Sequence, residues 1–174
     1  MERHGGKGPE MTRRRLLEMG LVMAAAGAAA RSAGAEDKVS RKPTKAFEVA
    51  MTEAEWQQRL TPAQFSVLRK HGTERAGSSP LDKEYGRGTY HCGGCELPLF
   101  SSDTKFDSRT GWPSFWAPLP DSVGTATDRS LFMARTEVHC RRCGGHLGHV
   151  FDDGPKPTGL RYCMNGIALV FRRA

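Results

Sequence analysis

Cys92-Gly93-Gly94-Cys95 decides the fold, together with a second stretch of the same spacing, Cys140-Arg141-Arg142-Cys143. In a C-x2-C pair both thiolates of one short turn can face the same ion, and two such turns complete a tetrahedral zinc site. Four thiolates leave no coordination position open, so this metal should stabilise the fold and take no part in catalysis. The sequence therefore predicts one structural zinc ion per chain, bound by Cys92, Cys95, Cys140 and Cys143.

Two other uses of these four cysteines stay open at this point. Disulfides are one, because an exported protein meets an oxidising compartment. A redox-active C-x-x-C pair is the other. Two such pairs in one chain favour zinc over both. The stretch between the pairs is longer than in the commonest zinc ribbons, so we expect the two turns in different parts of one sheet.

The fifth cysteine, Cys163, stands apart from the pairs. A single cysteine is usually a small buried hydrophobic residue. Here the strand predicted around it places Arg161, Cys163 and Asn165 on one face, because side chains alternate along a strand. Three such polar groups are poor material for a core, whereas a nearby positive charge favours the thiolate form of a nucleophile. The pattern indicates a reactive thiol.

Two histidines and an aromatic motif accompany this thiol. His146 and His149 lie three residues apart and suit acid–base chemistry near neutral pH. They could also be zinc ligands, which four thiolates make unnecessary, or surface residues without a role. The stretch 111–116 places Trp112, Phe115 and Trp116 around a proline, and it is either core or the apolar wall of a pocket.

The first 35 residues have the pattern of an export signal. Arg13-Arg14-Arg15 precedes an apolar run, and Ala33-Gly34-Ala35 follows it as a cleavage site. The paired arginines fit the twin-arginine variant. The run has about 15 residues, whereas a bilayer span needs roughly 20, so a retained membrane anchor is the weaker alternative. We expect a cleaved signal over 1–35, a flexible lead-in over 36–48, a single domain over 49–174 and a periplasmic location.

Two short helices and a series of strands are predicted after the lead-in. Thr52 and Glu55 form a capping box before the first helix, and Thr61-Pro62 begins a second helix that ends at His71-Gly72. From Thr89 onward, turn residues separate short runs that are typical of antiparallel strands. These runs are 89–92, 98–100, 131–135, 136–140, 149–151 and 161–171.

Composition excludes some classes of protein. With 38% hydrophobic and 26% charged residues, the 174-residue chain is neither disordered nor membrane-embedded. The net charge is +7, but residues 1–35 hold six of the 26 basic and three of the 19 acidic residues. The rest therefore carries +4, which is weak support for a nucleic-acid partner.

Several motifs in register resemble one family, the B-type methionine sulfoxide reductases, which act on the R epimer of methionine sulfoxide. The matching stretches follow the family's order over about residues 50–174. They are 72–74, 88–92, 105–108, 111–115, 146–151 and 159–165. The resemblance implies a mainly β fold with two antiparallel sheets in a barrel-like arrangement, short N-terminal helices and the four-cysteine zinc site.

The resemblance also implies a role for each site residue. Cys163 is implied to attack the sulfoxide sulfur and to become a sulfenic acid. His146 and His149 are implied to hold and protonate the sulfoxide oxygen, and Arg161 to favour thiolate. Asn165 and Asp153 are implied to be supporting polar groups, and Trp112 the wall that receives the S-methyl group. Phe151 is expected to line the substrate pocket with Trp112.

One position departs from the family pattern. Many members carry a second, resolving cysteine just before the 111–115 motif, where this chain has Thr110. We therefore expect an external thiol to reduce the Cys163 sulfenic acid, and a periplasmic thioredoxin-like domain to supply it. The expected substrates are oxidised proteins or free methionine sulfoxide. We expect a monomer that has no nucleic-acid partner and no stable membrane span after the signal is cleaved.

Two alternatives from other classes compete with the enzyme. A zinc-ribbon nucleic-acid-binding module explains the paired cysteines and Arg141-Arg142, but neither the export signal nor the face that carries Cys163. An exported structural protein with an inert Cys163 is the other alternative, and thiol reactivity would separate it from an enzyme.

Overall fold

The computed structural model describes residues 47–130 and 134–174. The predicted export signal over 1–35 lies outside the described residues, as do most of the lead-in over 36–48 and positions 131–133 of one predicted strand. Within the described part of the chain, no helix is both long and apolar enough to cross a membrane.

Two short helices come first, as the sequence predicted. α1 spans Glu53–Arg59 and α2 spans Pro62–Lys70. Both begin with a capping box, in which the hydroxyl of Thr52 or Thr61 accepts from an amide three residues later. His71 ends α2 in the left-handed conformation with φ 55°, so the capping residue is His71 and not Gly72.

The rest of the described chain is mainly β. A 3-10 turn at Pro80–Asp82 precedes the first strand, and two more lie between strands, at Ser102–Thr104 and Gly166–Ala168. The strands are β1 Gly88–Cys92, β2 Pro98–Ser101, β3 Lys105–Phe106, β4 Ser114–Phe115, β5 Val123–Asp128, β6 Arg135–Cys140, β7 His146–Phe151, β8 Arg161–Met164 and β9 Leu169–Arg173.

The strands form two antiparallel sheets. A three-stranded sheet has the order β2-β1-β9, and a six-stranded sheet has the order β3-β4-β8-β7-β6-β5. The two-sheet prediction is confirmed. Both strand orders are open at their ends within the described residues, so the barrel-like closure expected from the resemblance is not found there.

The predicted single strand over 161–171 is wrong in one respect. It is two strands, β8 and β9, which belong to different sheets and are separated by the 3-10 turn Gly166–Ala168. The Glu74 carboxylate accepts from the amides of Gly166 and Ile167, at 2.6 and 2.9 Å. These bonds to a residue more than ninety positions away fix the turn, and a period-two pattern cannot reveal them.

An aromatic cluster joins the two sheets. Tyr90 of β1 and Phe100 of β2 both contact Phe115 of β4, with ring centroids 4.9 and 4.4 Å apart. All three side chains are fully buried. Burial of such rings is the main stabilising term of a small core, and each aromatic pair adds about 0.5–1.5 kcal/mol. The cluster fixes β4, the strand beside β8, against the smaller sheet.

Candidate active site and candidate metal centre

Four cysteines converge between the sheets and the helices. Cys92 ends β1 in the smaller sheet and Cys140 ends β6 in the larger one, so the expectation that both turns share one sheet is wrong. The four Sγ atoms lie within 4.8 Å of one another and are buried. All four thiols are free, which does not support the disulfide alternative.

The sulfur spacing fits a metal ion. Cys92 Sγ lies 3.7 Å from Cys143 Sγ, and Cys95 Sγ lies 3.5 Å from Cys140 Sγ. Zinc–sulfur bonds of about 2.3 Å in a tetrahedron place sulfurs roughly 3.8 Å apart. A disulfide needs only about 2.05 Å. The donor set therefore forms a candidate metal centre with four thiolates.

The two cysteine turns have the same backbone geometry. In each, the residue after the second cysteine has a positive φ, 63° at Glu96 and 67° at Gly144. Its amide donates to the carbonyl of the first cysteine, at 2.8 and 2.9 Å. Gly93 has a different role, because it lets the backbone of the first turn approach the Ala168 carbonyl oxygen. A Cβ at Gly93 would lie 3.1 Å from that oxygen. Two matching turns that face each other favour a shared ligand over chance.

The helices cover this centre. Arg59 of α1 donates to the Gly94 carbonyl at 2.8 Å, and Arg69 of α2 donates to the Cys143 carbonyl at 3.0 Å. Arg142, which lies between Cys140 and Cys143, donates to the Cys95 carbonyl at 3.3 Å. Guanidinium groups thus surround the cysteines, where they can balance negative charge.

Cys163 lies at a separate cavity of about 180 Å³. It sits in β8 directly opposite His149 of β7, so both side chains project from the same face. The walls of the cavity include both aromatic residues that the sequence predicted. The lining residues are Thr73, Trp112, Arg135, Gly148, His149, Phe151, Cys163 and Asn165.

The Cys163 thiol is influenced by opposing effects. Burial raises its pKa, and this effect outweighs the lowering by Thr110, Arg161 and Ser114. Arg161 therefore lowers the pKa of the thiol, as expected, but by less than burial raises it. Its guanidinium forms two bonds of 2.8 Å with Asp153 and lies 4.4 Å above the Phe151 ring. Asp153 thus orients Arg161 and is not itself a lining residue of the cavity.

The two histidines occupy different places. His149 lines the Cys163 cavity, and its Nε2 lies 2.8 Å from Asp128 Oδ2. Burial lowers the pKa of its ring more than Asp128 raises it. His146 is almost fully buried and bonds through Nδ1 to Glu137 Oε1 at 2.7 Å. It lines an adjoining cavity of about 370 Å³ and not the one beside Cys163.

Asn165 and Trp112 are fixed by one segment. The Glu74 amide donates to Asn165 Oδ1 at 3.0 Å, and Trp112 Nε1 donates to the Glu74 carbonyl at 3.2 Å. Asn165 also donates to the Leu147 carbonyl at 3.1 Å. An amide can form up to four hydrogen bonds, so Asn165 retains capacity for a ligand.

Sequence reasoning missed the carboxylates that hold the histidines. Asp128 ends β5 and Glu137 lies in β6. The pairing of these strands with one another and with β7 brings both carboxylates close to the histidines. The available signal was the alternation of Arg135, Glu137 and His139 along one predicted strand next to two histidines. Glu74 lies in the matching stretch 72–74, to which sequence reasoning assigned no role. It follows α2 and bonds to Asn165 and Trp112 at the site.

This arrangement defines a class of protein: a thiol enzyme with imidazoles and an apolar pocket beside the thiol, in a two-sheet domain with a four-cysteine centre. The comparisons with known proteins then give the family. The SelR domain matches residues 60–173. The chain therefore belongs to the SelR domain family, the B-type methionine sulfoxide reductases, and it is an oxidoreductase.

Three relatives support this membership. Peptide methionine sulfoxide reductase MsrB of Agrobacterium fabrum is 52% identical over 124 residues, 71% of this chain and 92% of the relative. The Leptospira interrogans protein of that name is 51% identical over 128 residues, 73% and 98% of the two chains. The Methanosarcina barkeri protein is 54% identical over 125 residues, 71% and 88%. This membership does not favour the nucleic-acid-binding alternative.

Proposed function

We propose that this chain reduces the R epimer of methionine sulfoxide to methionine, in oxidised proteins or as the free amino acid, with Cys163 as the nucleophile. The observation that carries the proposal is the position of Cys163, which lies beside His149 in a cavity that Trp112 and Phe151 also line. The apolar walls suit an S-methyl group, and the polar side suits the sulfoxide oxygen.

In the first step, the Cys163 sulfur attacks the sulfoxide sulfur. This forms an S–S bond between Cys163 and the substrate, and the sulfoxide oxygen takes up a proton. The S–O bond of the substrate then breaks, the hydroxyl passes to the Cys163 sulfur, the S–S bond breaks, and methionine leaves as a thioether. The substrate sulfur is reduced by two electrons, and Cys163 is oxidised by two electrons to a sulfenic acid. The thiol loses one hydrogen and gains one hydroxyl, so oxygen and protons balance.

The imidazoles serve the proton transfer. At neutral pH the raised pKa of Cys163 and the lowered pKa of His149 leave a thiol facing a neutral ring. The proton that the oxygen needs is therefore the thiol's own, passed through solvent or through His149 and the adjacent His146, whose ring centroids lie 5.4 Å apart. Asp128 orients His149 and Glu137 orients His146, while Asn165 donates to the substrate and Arg161 stabilises the developing thiolate.

Regeneration needs an external thiol in this proposal. The thiol attacks the sulfenic acid, forms a mixed disulfide and releases water, and a second thiol then frees Cys163. Thr110, at the position of the resolving cysteine, lies 3.8 Å from Cys163 Sγ and has no thiol to contribute. A thioredoxin-like donor in the periplasm would serve an exported monomer with a cleaved signal over 1–35.

We assign the four-cysteine centre to one structural zinc ion. Cys92, Cys95, Cys140 and Cys143 would hold it, and zinc would supply a rigid, closed cross-link with no open position for substrate. The spacing and burial of the four sulfurs support this assignment.

The test is single turnover on the two separated sulfoxide epimers with dithiothreitol, for wild type and Cys163→Ser. We expect wild type to consume the R epimer alone and Cys163→Ser to consume neither. Equal use of both epimers would overturn the stereochemistry, and an active Cys163→Ser would overturn the nucleophile. Inactivity of the zinc-loaded wild type on both epimers would overturn the activity itself.

A further inference from the structure

A second group of metal-ligating side chains lies beside the active site. It consists of His71, Glu137 and His146, which come from the end of α2, from β6 and from β7. One ligand atom from each lies within 4.8 Å of the other two. Two imidazoles and one carboxylate, with positions left open, form a donor set that zinc, nickel, copper and iron sites use.

The contacts among the three are short and directed at one atom. His146 Nδ1 lies 2.7 Å and His71 Nδ1 lies 3.1 Å from the same oxygen, Glu137 Oε1. A metal with bonds of about 2.1 Å holds neighbouring ligand atoms about 3 Å apart. The three atoms therefore need little movement to share an ion.

Burial and charge also suit a cation. His146 and Glu137 side chains are 3% and 12% exposed, whereas His71 is 65% exposed, so the group has a rigid floor and an open entrance. A cavity of about 370 Å³ adjoins all three residues. Among the described residues, the ion pairs of Glu137 are with the imidazoles of His71 and His146 and with no lysine or arginine. The neighbouring Arg135 pairs with Asp128 instead. The Glu137 charge is thus available to a metal.

We propose that His71, Glu137 and His146 form a reversible binding site for a divalent first-row transition metal, and that its occupation inhibits the reductase. The inhibition rests on the proposed function, in which His146 takes part in proton delivery. An imidazole that coordinates through Nδ1 cannot take up a proton there, and its ring is fixed. The enzyme would lose activity when free metal rises, without any change at the four-cysteine centre.

The binding test uses zinc-loaded, full-length protein without a histidine tag, with Cys163→Ser so that the active-site thiol cannot bind the probe. Ni²⁺ is titrated by calorimetry. We expect one Ni²⁺ per chain, and at least tenfold weaker binding when His71→Asn is added. Asparagine tolerates the left-handed backbone at φ 55°, so this change removes the imidazole with little strain.

The matched control is His149→Asn, which removes the neighbouring imidazole whose described hydrogen bond is to Asp128, whereas Glu137 bonds to His71 and His146. It should leave Ni²⁺ affinity unchanged. Absence of Ni²⁺ binding, equal affinity with and without His71, or loss of binding in His149→Asn would each overturn the site.

The activity test uses protein with Cys163 intact. Ni²⁺ should inhibit wild type at the concentration at which it binds, and His71→Asn should keep basal activity but resist inhibition at least tenfold better. Binding without inhibition would overturn the inhibitory role. If Ni²⁺ binds through His71 in a protein that reduces neither epimer, the metal site stands and the proposed function fails, so the two outcomes are distinguishable.

Discussion

At the scale of single residues, burial and charge act on Cys163 in opposite directions. Burial raises the pKa of the thiol, and the nearby Arg161 lowers it by a smaller amount. Burial also lowers the pKa of His149, which favours the neutral ring. Proton transfer from sulfur to the imidazole is then costly until a substrate oxygen is present to accept the proton. In the proposed reaction, this arrangement would keep the thiol unreactive between turnovers, because only thiolate reacts readily with oxidants.

Alkylation of Cys163 by iodoacetamide should therefore accelerate with pH, with a midpoint above 9.0, the ordinary pKa of a thiol. Arg161→Met removes the positive charge that favours thiolate, so its midpoint should move to still higher pH. Mass spectrometry of zinc-loaded protein at a series of pH values measures both. Arg172→Met is the control. Arg172 lies on β9 and pairs with Glu96, so its substitution should leave the midpoint of Cys163 alkylation unchanged. A midpoint below 9.0 would show that charge outweighs burial.

A second prediction concerns Thr110. Thr110→Cys should place a thiol close enough to attack the Cys163 sulfenic acid, because Thr110 Oγ1 already lies 3.8 Å from Cys163 Sγ. After one turnover without external thiol, wild type should keep a sulfenic acid that dimedone labels. The variant should lose that label and gain an intramolecular disulfide, both seen by mass spectrometry.

Ser108→Cys is the matched control for this change. Its hydroxyl bonds to Thr110 and Ser114, at 2.8 and 2.7 Å, and not to Cys163. It should retain dimedone labelling as wild type does. An intramolecular disulfide at Cys163 in the wild type would contradict the one-cysteine cycle.

At the scale of elements, the segment after α2 connects helix, turn and site. Glu74 uses its carboxylate on the turn between β8 and β9, its amide on Asn165 and its carbonyl on Trp112. Hydrogen bonds to a charged group contribute about 1.5–3 kcal/mol each, more than neutral ones. Glu74 thus fixes the position of the end of β8, where Cys163 lies, relative to Trp112.

Glu74→Ala should lower the free energy of unfolding by about 3–6 kcal/mol, because two amides of the Gly166–Ala168 turn lose a charged partner. It should also lower kcat/KM at least tenfold, as the turn that follows Asn165 relaxes. Urea unfolding and steady-state kinetics measure these effects. Glu53→Ala removes only an exposed ion pair with Lys70 and should change stability by less than about 1 kcal/mol. Equal effects of the two changes would refute the role of Glu74.

The same scale shows what sequence could and could not reveal. The capping box at Thr52 could be predicted because it involves residues three apart, and the start of the second helix at Thr61 could be predicted from Pro62. The grouping of the four paired cysteines was readable because spacing limits what a turn can bind. The division of 161–171 between two sheets depends on Glu74, and the partners of His146 and His149 depend on strand order. Contacts between distant positions leave no periodic signal in one sequence.

At the scale of the whole molecule, the four-cysteine centre connects both sheets and both helices. One cysteine pair follows β1 of the smaller sheet, and the other follows β6 of the larger sheet. The aromatic cluster of Tyr90, Phe100 and Phe115 also connects the sheets, as does the contact of Phe100 with Tyr162. A metal at the cysteines would therefore act as a cross-link between parts that otherwise meet through a small core.

Removal of this metal should destabilise the entire domain. Binding of structural zinc is worth about 10–16 kcal/mol in small zinc-folded peptides, which is as large as the roughly 5–15 kcal/mol stability of an ordinary domain. We expect one zinc per chain by elemental analysis, and a cooperative loss of structure by circular dichroism when a strong chelator is added. Cys95→Ser should bind less zinc and unfold at a lower temperature than wild type.

Cys163→Ser provides the contrast, because it removes a thiol at the substrate cavity and none at the cysteine centre. It should keep one zinc and a wild-type melting temperature while losing activity. Cys95→Ser should lose stability first, and its remaining folded fraction should still alkylate at Cys163. If Cys163→Ser also lost zinc, or if metal-free wild type kept its fold and melting temperature, the separation between a structural centre and a catalytic thiol would be wrong.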